Sequence, residues 1–431
     1  MSGWNEYRPT VAEPWLKRRV VHLHRRAVFG ACRSEIERDL TDGPAKSISR
    51  ILDGSARDEG TLPDFEQRAA IIGESAVDSG NLDRLRAWWV FRLLFSPDPL
   101  RERLTLMWHN HFATSNDKVK DPRLMRLQNE SFRKLGMGPF GELLRTMAHD
   151  PALLIWLDAP MNKAGKPNEN LAREIMELFT LGIGNYQETD VRESARALTG
   201  FTVRKGNFYF DAANHDAGEK RILGQTGKWN GDDFVRILLE HKATPERLAW
   251  RLVSEFFADG VVDAAAKQEL AQELSKHNLD IRWGVETILR SQLFFSEANL
   301  HTRVSDPASF LLMPLRALEY WRTPISTLVL AEWLTRLVKD CLHHRTSEAG
   351  MAARCGCRLV PLLHEPTISL LSLMGGFQFH HQSSAFANPR TFPSSPTTPS
   401  RSCATCRVCY SARVIFPGSH KLPKVSPLKL T

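Results

Sequence analysis

The sequence predicts a mainly α fold: a multi-helix globular body with one small β-hairpin, followed by a disordered, low-complexity tail. Three observations carry this reading. Through roughly the first three quarters of the chain, apolar residues recur at spacings of three and four, as they do on helices with one buried face. Short loops rich in Gly, Pro, Asp and Asn separate these stretches. Period-two alternation is confined to Phe201–Phe210. The chain has 431 residues, 25% of them charged and 42% hydrophobic, which is ordinary for a globular protein and sufficient for a sizeable core. It excludes disorder from end to end, a collagen-like repeat and a small disulfide scaffold.

Taken in order, the periodic stretches predict helices at Ser34–Leu40, Phe65–Glu74, Leu82–Phe95, Pro99–His109, Pro122–Lys134, Phe140–Met147, Asn170–Leu181 and Asp190–Leu198. They continue at Gly231–Leu239, Pro245–Phe257, Ala264–Lys276, Val285–Ser291, Asp306–Tyr320 and Thr327–Leu337. Several ends are marked. Pro99 follows Asp98 at a first helical turn, where its missing N–H costs nothing. Asp190 with Glu193 has the spacing of a capping box, and Gly200 stands just past the end of that helix. Between helices, Phe201 and Val203, then Phe208 and Phe210, flank Lys205-Gly206-Asn207, a hairpin with a glycine-containing turn.

The charge is uneven. The chain carries 57 Lys and Arg against 49 Asp and Glu. Val338–Thr431 holds 11 basic and 3 acidic residues, so the preceding body has 46 of each sign and is neutral. The pI of about 9.2 is thus a property of the tail, and the body gives nucleic-acid binding no support. Cysteine follows the same split. Only Cys32 lies in the body; Cys341, Cys355, Cys357, Cys403, Cys406 and Cys409 lie in the tail. Spacings of Cys355-x-Cys357 and Cys403-x2-Cys406-x2-Cys409 can bind zinc or an iron–sulfur cluster, but they lack a companion knuckle. No window of about 18 apolar residues predicts a membrane span. Met1–Thr10 is polar and Trp15–Gly30 too basic for a signal core, so no secretory signal is expected and cytoplasm is the default.

Three constellations could carry chemistry. In Trp108-His109-Asn110-His111-Phe112, a helical wheel started at Leu100 puts His111 at about 20°, inside the apolar face, and His109 away from it. Two His at i, i+2 cannot grip one metal from a regular helix, although they share a face if the chain turns extended at Asn110. The alternative is one core His and one His favoured by the helix C-terminal dipole. In Pro167–Gly182, Glu174 and Glu177 fall on one flank of the helix at i, i+3, bordering the apolar stripe. Such a pair can hold a divalent metal in a helical bundle. Otherwise Arg173 and other cations neutralise it. In the loop Asn214–Lys220, His215 beside Asp216 reads as a ligand or base pair, or as a turn held by the Asp side chain. No phosphate loop, dinucleotide fingerprint, nucleophile elbow or helix–turn–helix is found.

These same segments carry a resemblance. Trp108–Phe112, Asp150-Pro151-Ala152, Pro167–Asn170, Ala172-Arg173-Glu174, Glu177–Gly182, Ala195–Phe201 and His215-Asp216 with Lys220 resemble, in order and spacing, the bacterial family called domain of unknown function 1800. The similarity covers about residues 21–337, leaving residues 1–20 as an extension and 338–431 as an aberrant basic tail. It implies a largely helical fold and no established activity. Members often look exported and are often encoded beside another uncharacterised family with sulfatase-like features, which makes such a protein the expected partner. Arg25-Arg26-Ala27-Val28-Phe29-Gly30 departs from the family pattern, which has Gly where Val28 stands.

After Leu337 the family continues with a segment like Gly-Gln-x-Leu-Phe-x-Pro-Pro-Asn-Val-x-Gly-Trp. Back-translation of Leu337–Gly350 with permitted codons, read from the third base of the Leu337 codon, yields Gly-Gln-Arg-Leu-Phe-(Ala/Thr)-Pro-Pro-Asn-Val-Gly-Gly-Trp. The tail is therefore expected to be frame-shifted, which accounts together for its charge, its cysteines and its loss of periodicity.

Two functions follow. In the first, metal-assisted hydrolysis, His109, His111, Glu174, Glu177, His215 and Asp216 are candidate ligands of a divalent metal. His111, Glu174 and His215 are the candidate catalytic groups, and Arg173 positions an anionic group. In the second, the chain is a non-enzymatic scaffold or binding protein, and those residues form a structural polar network.

Overall fold

The computed structural model describes residues 3–57, 62–300, 302–303, 305–320 and 326–337, all within one unit of mutual contacts spanning Met1–Gln378. The fold is mainly helical. The helices are α1 (Lys17–Ala27), α2 (Arg33–Leu52), α3 (Phe65–Asp78), α4 (Leu82–Phe95), α5 (Pro99–Phe112), α6 (Asn116–Val119), α7 (Pro122–Leu135) and α8 (Phe140–Ala148). They continue as α9 (Pro151–Trp156), α10 (Asn170–Glu174), α11 (Glu188–Ala197), α12 (Gly231–Glu240), α13 (Ala243–Phe256), α14 (Ala264–Lys276), α15 (Ile281–Arg290) and α16 (Pro307–Ala317). Residues 327–337 are also helical. The tail, its six cysteines and its expected disorder lie outside the described residues.

Capping chemistry sets many of the starts. Asp98, Asp121, Asp150 and Asp306 each precede a proline at the first helical position, and each carboxylate accepts a backbone N–H of its helix's first turn, which satisfies donors that have no intrahelical partner. The start expected at Asp190 lies two residues earlier. Gln187 is the cap, and Asp190 fills the third helical position, accepting from the Gln187 N–H at 2.9 Å. Helix α2 is two helical stretches across a kink: the first breaks at Gly43 (φ 79°, ψ 172°), shortly after Leu40, and a second starts at Pro44. Helix α1, with His24, Arg25 and Arg26 in its last turn, was hidden by its basic composition.

The hairpin forms as predicted: β1 (Phe201–Arg204) pairs antiparallel with β2 (Asn207–Phe210). Its turn is two residues, Lys205 and Gly206, both at positive φ, the geometry that matches strand twist. A second hairpin, β3 (Lys220–Ile222) with β4 (Gln225–Gly227), was not foreseen; its three-residue strands are too short to show alternation.

Helices α4 and α5 are buried almost all round. α5 packs against α1, α2, α4 and α7 and contributes Trp108 and Phe112 to a core with Phe132 and Phe140. α4 contributes Trp88, Trp89 and Phe91 to a second core with Phe65, Leu312 and Leu334. A buried Trp withdraws roughly 200 Å² from water, about 5 kcal/mol as an upper bound. That gain survives only if the indole N–H is satisfied. Trp108 donates to the Gly136 carbonyl at 2.9 Å and Trp88 to the Ala69 carbonyl at 2.7 Å.

Candidate functional site

Helix α5 stays regular to Phe112 and ends with Ala113 in the left-handed region. The chain does not turn extended at Asn110, so His109 and His111 leave the helix about 200° apart. His109 does not point away from the core, contrary to the wheel: it is fully buried. The wheel assumed one wet face, whereas α5 is enclosed on every side. Its ring lies edge-on to Trp89 and Phe132, with centroids at 5.1 and 5.9 Å. Neither ring nitrogen has a hydrogen-bond partner among the described residues. Burial pushes its pKa down to about 3, so the ring is neutral at physiological pH.

His111 is buried as expected. It lies among Trp108, Phe112, Phe140 and Phe179, and its Nε2–H donates to the Phe179 carbonyl at 3.0 Å. Burial, then the nearby Arg247 and Arg251 guanidinium groups, hold it well below the usual histidine range.

The segment expected to be one helix from Asn170 to Leu181 changes pitch. α10 ends at Glu174, and Ile175–Thr180 form a π-helical turn in which the Thr180 hydroxyl donates to the Ile175 carbonyl at 2.7 Å. The carbonyls at this end lack helical partners. Two are taken up from neighbouring elements, Phe179 by His111 and Leu178 by Arg247 Nε at 3.0 Å.

Arg173 serves neither Glu174 nor Glu177 in the hydrogen bonds of this surface. It makes a two-pronged pair with Glu188, at 2.9 and 2.7 Å, and a third bond to Glu169 at 3.0 Å. Glu177 accepts the Tyr186 hydroxyl. Burial and then that carboxylate raise the Tyr186 pKa. Glu174 is half-buried.

His215 and Asp216 are not paired with each other. His215 Nδ1–H donates to the Thr199 carbonyl at 2.9 Å. Asp216 accepts Arg196 Nε and Nη2 at 2.8 and 3.2 Å and the Gly218 N–H at 2.9 Å. Arg196 is the main reason its pKa lies below the ordinary carboxylate value. The Thr199 hydroxyl accepts the Asp216 N–H at 2.8 Å, and the buried Lys220 ammonium donates to the Asp216 and Gly218 carbonyls. Gly200 sits at φ +85°, and a Cβ there would lie 2.6 Å from the Asp211 carbonyl oxygen.

The structure thus joins His111 to the end of the Glu174–Glu177 segment through one backbone carbonyl, and His215-Asp216 to the end of α11 through Thr199 and Arg196. Among the described residues, no group of three or more His, Cys, Asp and Glu side chains could hold a metal ion.

Sequence reasoning missed other charged groups. Glu102 is fully buried and accepts Arg92 Nε at 2.9 Å and Arg133 Nε and Nη2 at 2.8 and 3.0 Å. Asp150 is 7% exposed and is pushed up by burial to about 6. Its place in the Asp150-Pro151-Ala152 motif was the available signal. An arginine-lined recess beside α1 had only the Arg25-Arg26 doublet to announce it.

No curated protein and no solved structure matches the chain. A family model described as protein of unknown function (DUF1800) matches residues 22–348, ending eleven residues past the boundary read at Leu337. Since that match spans more than half of the sequence and takes in all the motifs from Trp108 to Lys220, the chain belongs to the DUF1800 family.

Proposed function

We propose that the chain is a scaffold or binding protein in which His111, Arg173, Glu177, His215 and Asp216 hold the fold together. The observation that carries this is the setting of His111. Its Nε2–H caps the Phe179 carbonyl inside a shell of aromatic rings, so the residue best placed for ligand or acid–base work has a structural task. The Arg196–Asp216 and Arg173–Glu188 pairs act likewise, each tying a loop or helix start to its neighbour. Metal-assisted hydrolysis is the second reading. It draws on the π-helical turn around Glu177, since such turns often accompany functional sites.

Elemental analysis of the purified full chain and of His111→Ala separates the two. A binding protein is expected to carry no stoichiometric Zn, Mn or Fe and to melt several degrees lower in the variant. Stoichiometric metal that disappears in His111→Ala would overturn the proposal.

A further inference from the structure

The last turn of α1, the middle of α5 and the segment entering α16 meet at a recess of about 30 Å³, lined by His22, Arg25, Arg26, Arg103, Arg303, Ser305, Asp306 and Ser309. That space holds about two waters or one small tetrahedral ion. Positive charge gathers here. Arg26 is repelled by Arg303, Arg103 and Arg25, and among the described residues Glu255 and Asp306 are the carboxylates that act on Arg26 or Arg303. Both carboxylates are engaged. Glu255 lies 3.0 Å from Arg103 Nε and 3.8 Å from Arg251 Nη2. Asp306 accepts the Ser309 N–H at 2.9 Å and hydroxyl at 2.7 Å, and Arg103 Nη2 at 3.4 Å. Arg103 also reaches the Ser309 hydroxyl at 2.7 Å, and Arg303 donates to the Glu255 carbonyl.

Arg26 is the exception. It is only 7% exposed, it lines the recess, and it makes no hydrogen bond or ion pair among the described residues. Burial, then Arg303, Arg103 and Arg25, push it down to about 9, which still leaves it charged at neutral pH. A buried charge ordinarily persists only with a partner, and among the described residues Arg26 has none within hydrogen-bond or ion-pair distance; Glu255 acts on it only as a more distant charge. Guanidinium groups are the planar donors that match oxyanions.

We propose that this recess binds a small tetrahedral oxyanion, a phosphoryl or sulfuryl group, with Arg26 and Arg303 as its principal donors. The site is separate from the polar pairs around α10 and α11 and stands whether those pairs are structural or catalytic.

Isothermal titration of the full chain with sodium phosphate and sodium sulfate, at constant ionic strength in chloride, tests the proposal. Phenyl phosphate and acetate form the comparison arms. One saturable site for phosphate or sulfate is expected, weakened at least tenfold by Arg26→Met and by Arg303→Met, and unchanged in Arg236→Met on the exposed face of α12. Phosphate should raise the melting temperature of the parent and leave that of Arg26→Met unmoved. In anion-free buffer Arg26→Met should melt at or above the parent, because it removes an uncompensated buried charge.

Tighter binding of phenyl phosphate identifies a phosphoryl group carried on a larger molecule; equal binding identifies the free ion. Either supports the site. Absence of saturable binding, affinity in Arg26→Met within twofold of the parent, or acetate binding as tightly as phosphate would overturn it. So would a lower melting temperature of Arg26→Met without anion, since it would show that Arg26 already has a structural partner.

Discussion

Replacing Asp150 by Asn should make the protein more stable at neutral pH, by about 2 kcal/mol more than in mild acid. Asp150 caps α9 by accepting the Leu153 N–H at 2.8 Å and takes Gln128 Nε2 at 2.6 Å. These bonds favour the carboxylate, but burial outweighs them and pushes the group up to about 6 from the ordinary 3.8. A shift of about two pH units corresponds to about 3 kcal/mol. The sign follows from proton counting. Between the unfolded value near 3.8 and the folded value near 6, the folded chain holds more of the proton, so stability falls as pH rises through that window and stays low above it. Of the total, about 2 kcal/mol is lost between pH 4.5 and 7.5. Asn is as good a helix cap as Asp, and the nearby Gln128 Oε1, which has no partner among the described residues, can accept the new amide N–H. Urea unfolding of parent and Asp150→Asn at both pH values gives the difference. Refutation is a variant whose stability relative to the parent is the same at the two pH values, or lower at pH 7.5 than at 4.5.

Glu102 carries the opposite sign. Burial pushes its carboxyl up, but Arg133 and Arg92 together outweigh burial and hold it below the ordinary range, so its contribution is complete above about pH 4.5 and is lost as pH falls towards its folded value. Glu102→Gln should cost about 3–5 kcal/mol at pH 7, because it leaves Arg92 and Arg133 buried without their counter-charge. Denaturant unfolding should show that penalty shrinking below pH 4.5. Gly200→Ala should cost about 1–3 kcal/mol through its left-handed backbone and the close Asp211 carbonyl, and a melting temperature equal to the parent's would contradict this. At the gene, sequencing across the Leu337 codon is expected to reveal a one-base shift. The large exposed side chains Phe310, Leu318, Leu328 and Trp333 stand just ahead of that point, and the restored frame should yield a chain of higher melting temperature. An uninterrupted frame that truly encodes the tail would end the idea.

What the sequence disclosed is what local rules govern. The Asp98-Pro99 start, the hairpin around Gly206 and the periodic stripe of Ala264–Lys276 depend on neighbours within a few residues, and each appears where the sequence puts it, save that the turn closes at Lys205-Gly206 because Asn207 pairs with Arg204. Pitch and enclosure are different. Nothing between Asn170 and Leu181 distinguishes α from π winding, because the wide turn is held by His111 and Arg247 from 68 and 69 residues away. His109 was assigned to the wet side of α5 because a wheel knows only one helix; the second wall, built by Trp89 and Phe132, belongs to other elements.

Charged residues show the limit most sharply, since composition places them on the surface. Arg316 and Glu35, separated by 281 positions and buried to 0% and 1% exposure, join α16 to the start of α2. Arg103 reaches Ser309 and Asp306 across more than 200 positions. A neutral body with 46 charges of each sign permits such pairing without specifying it. Arginines brought together by tertiary contact become conspicuous only when one of them lacks a directly paired carboxylate, and among the described residues Arg26 is in that position.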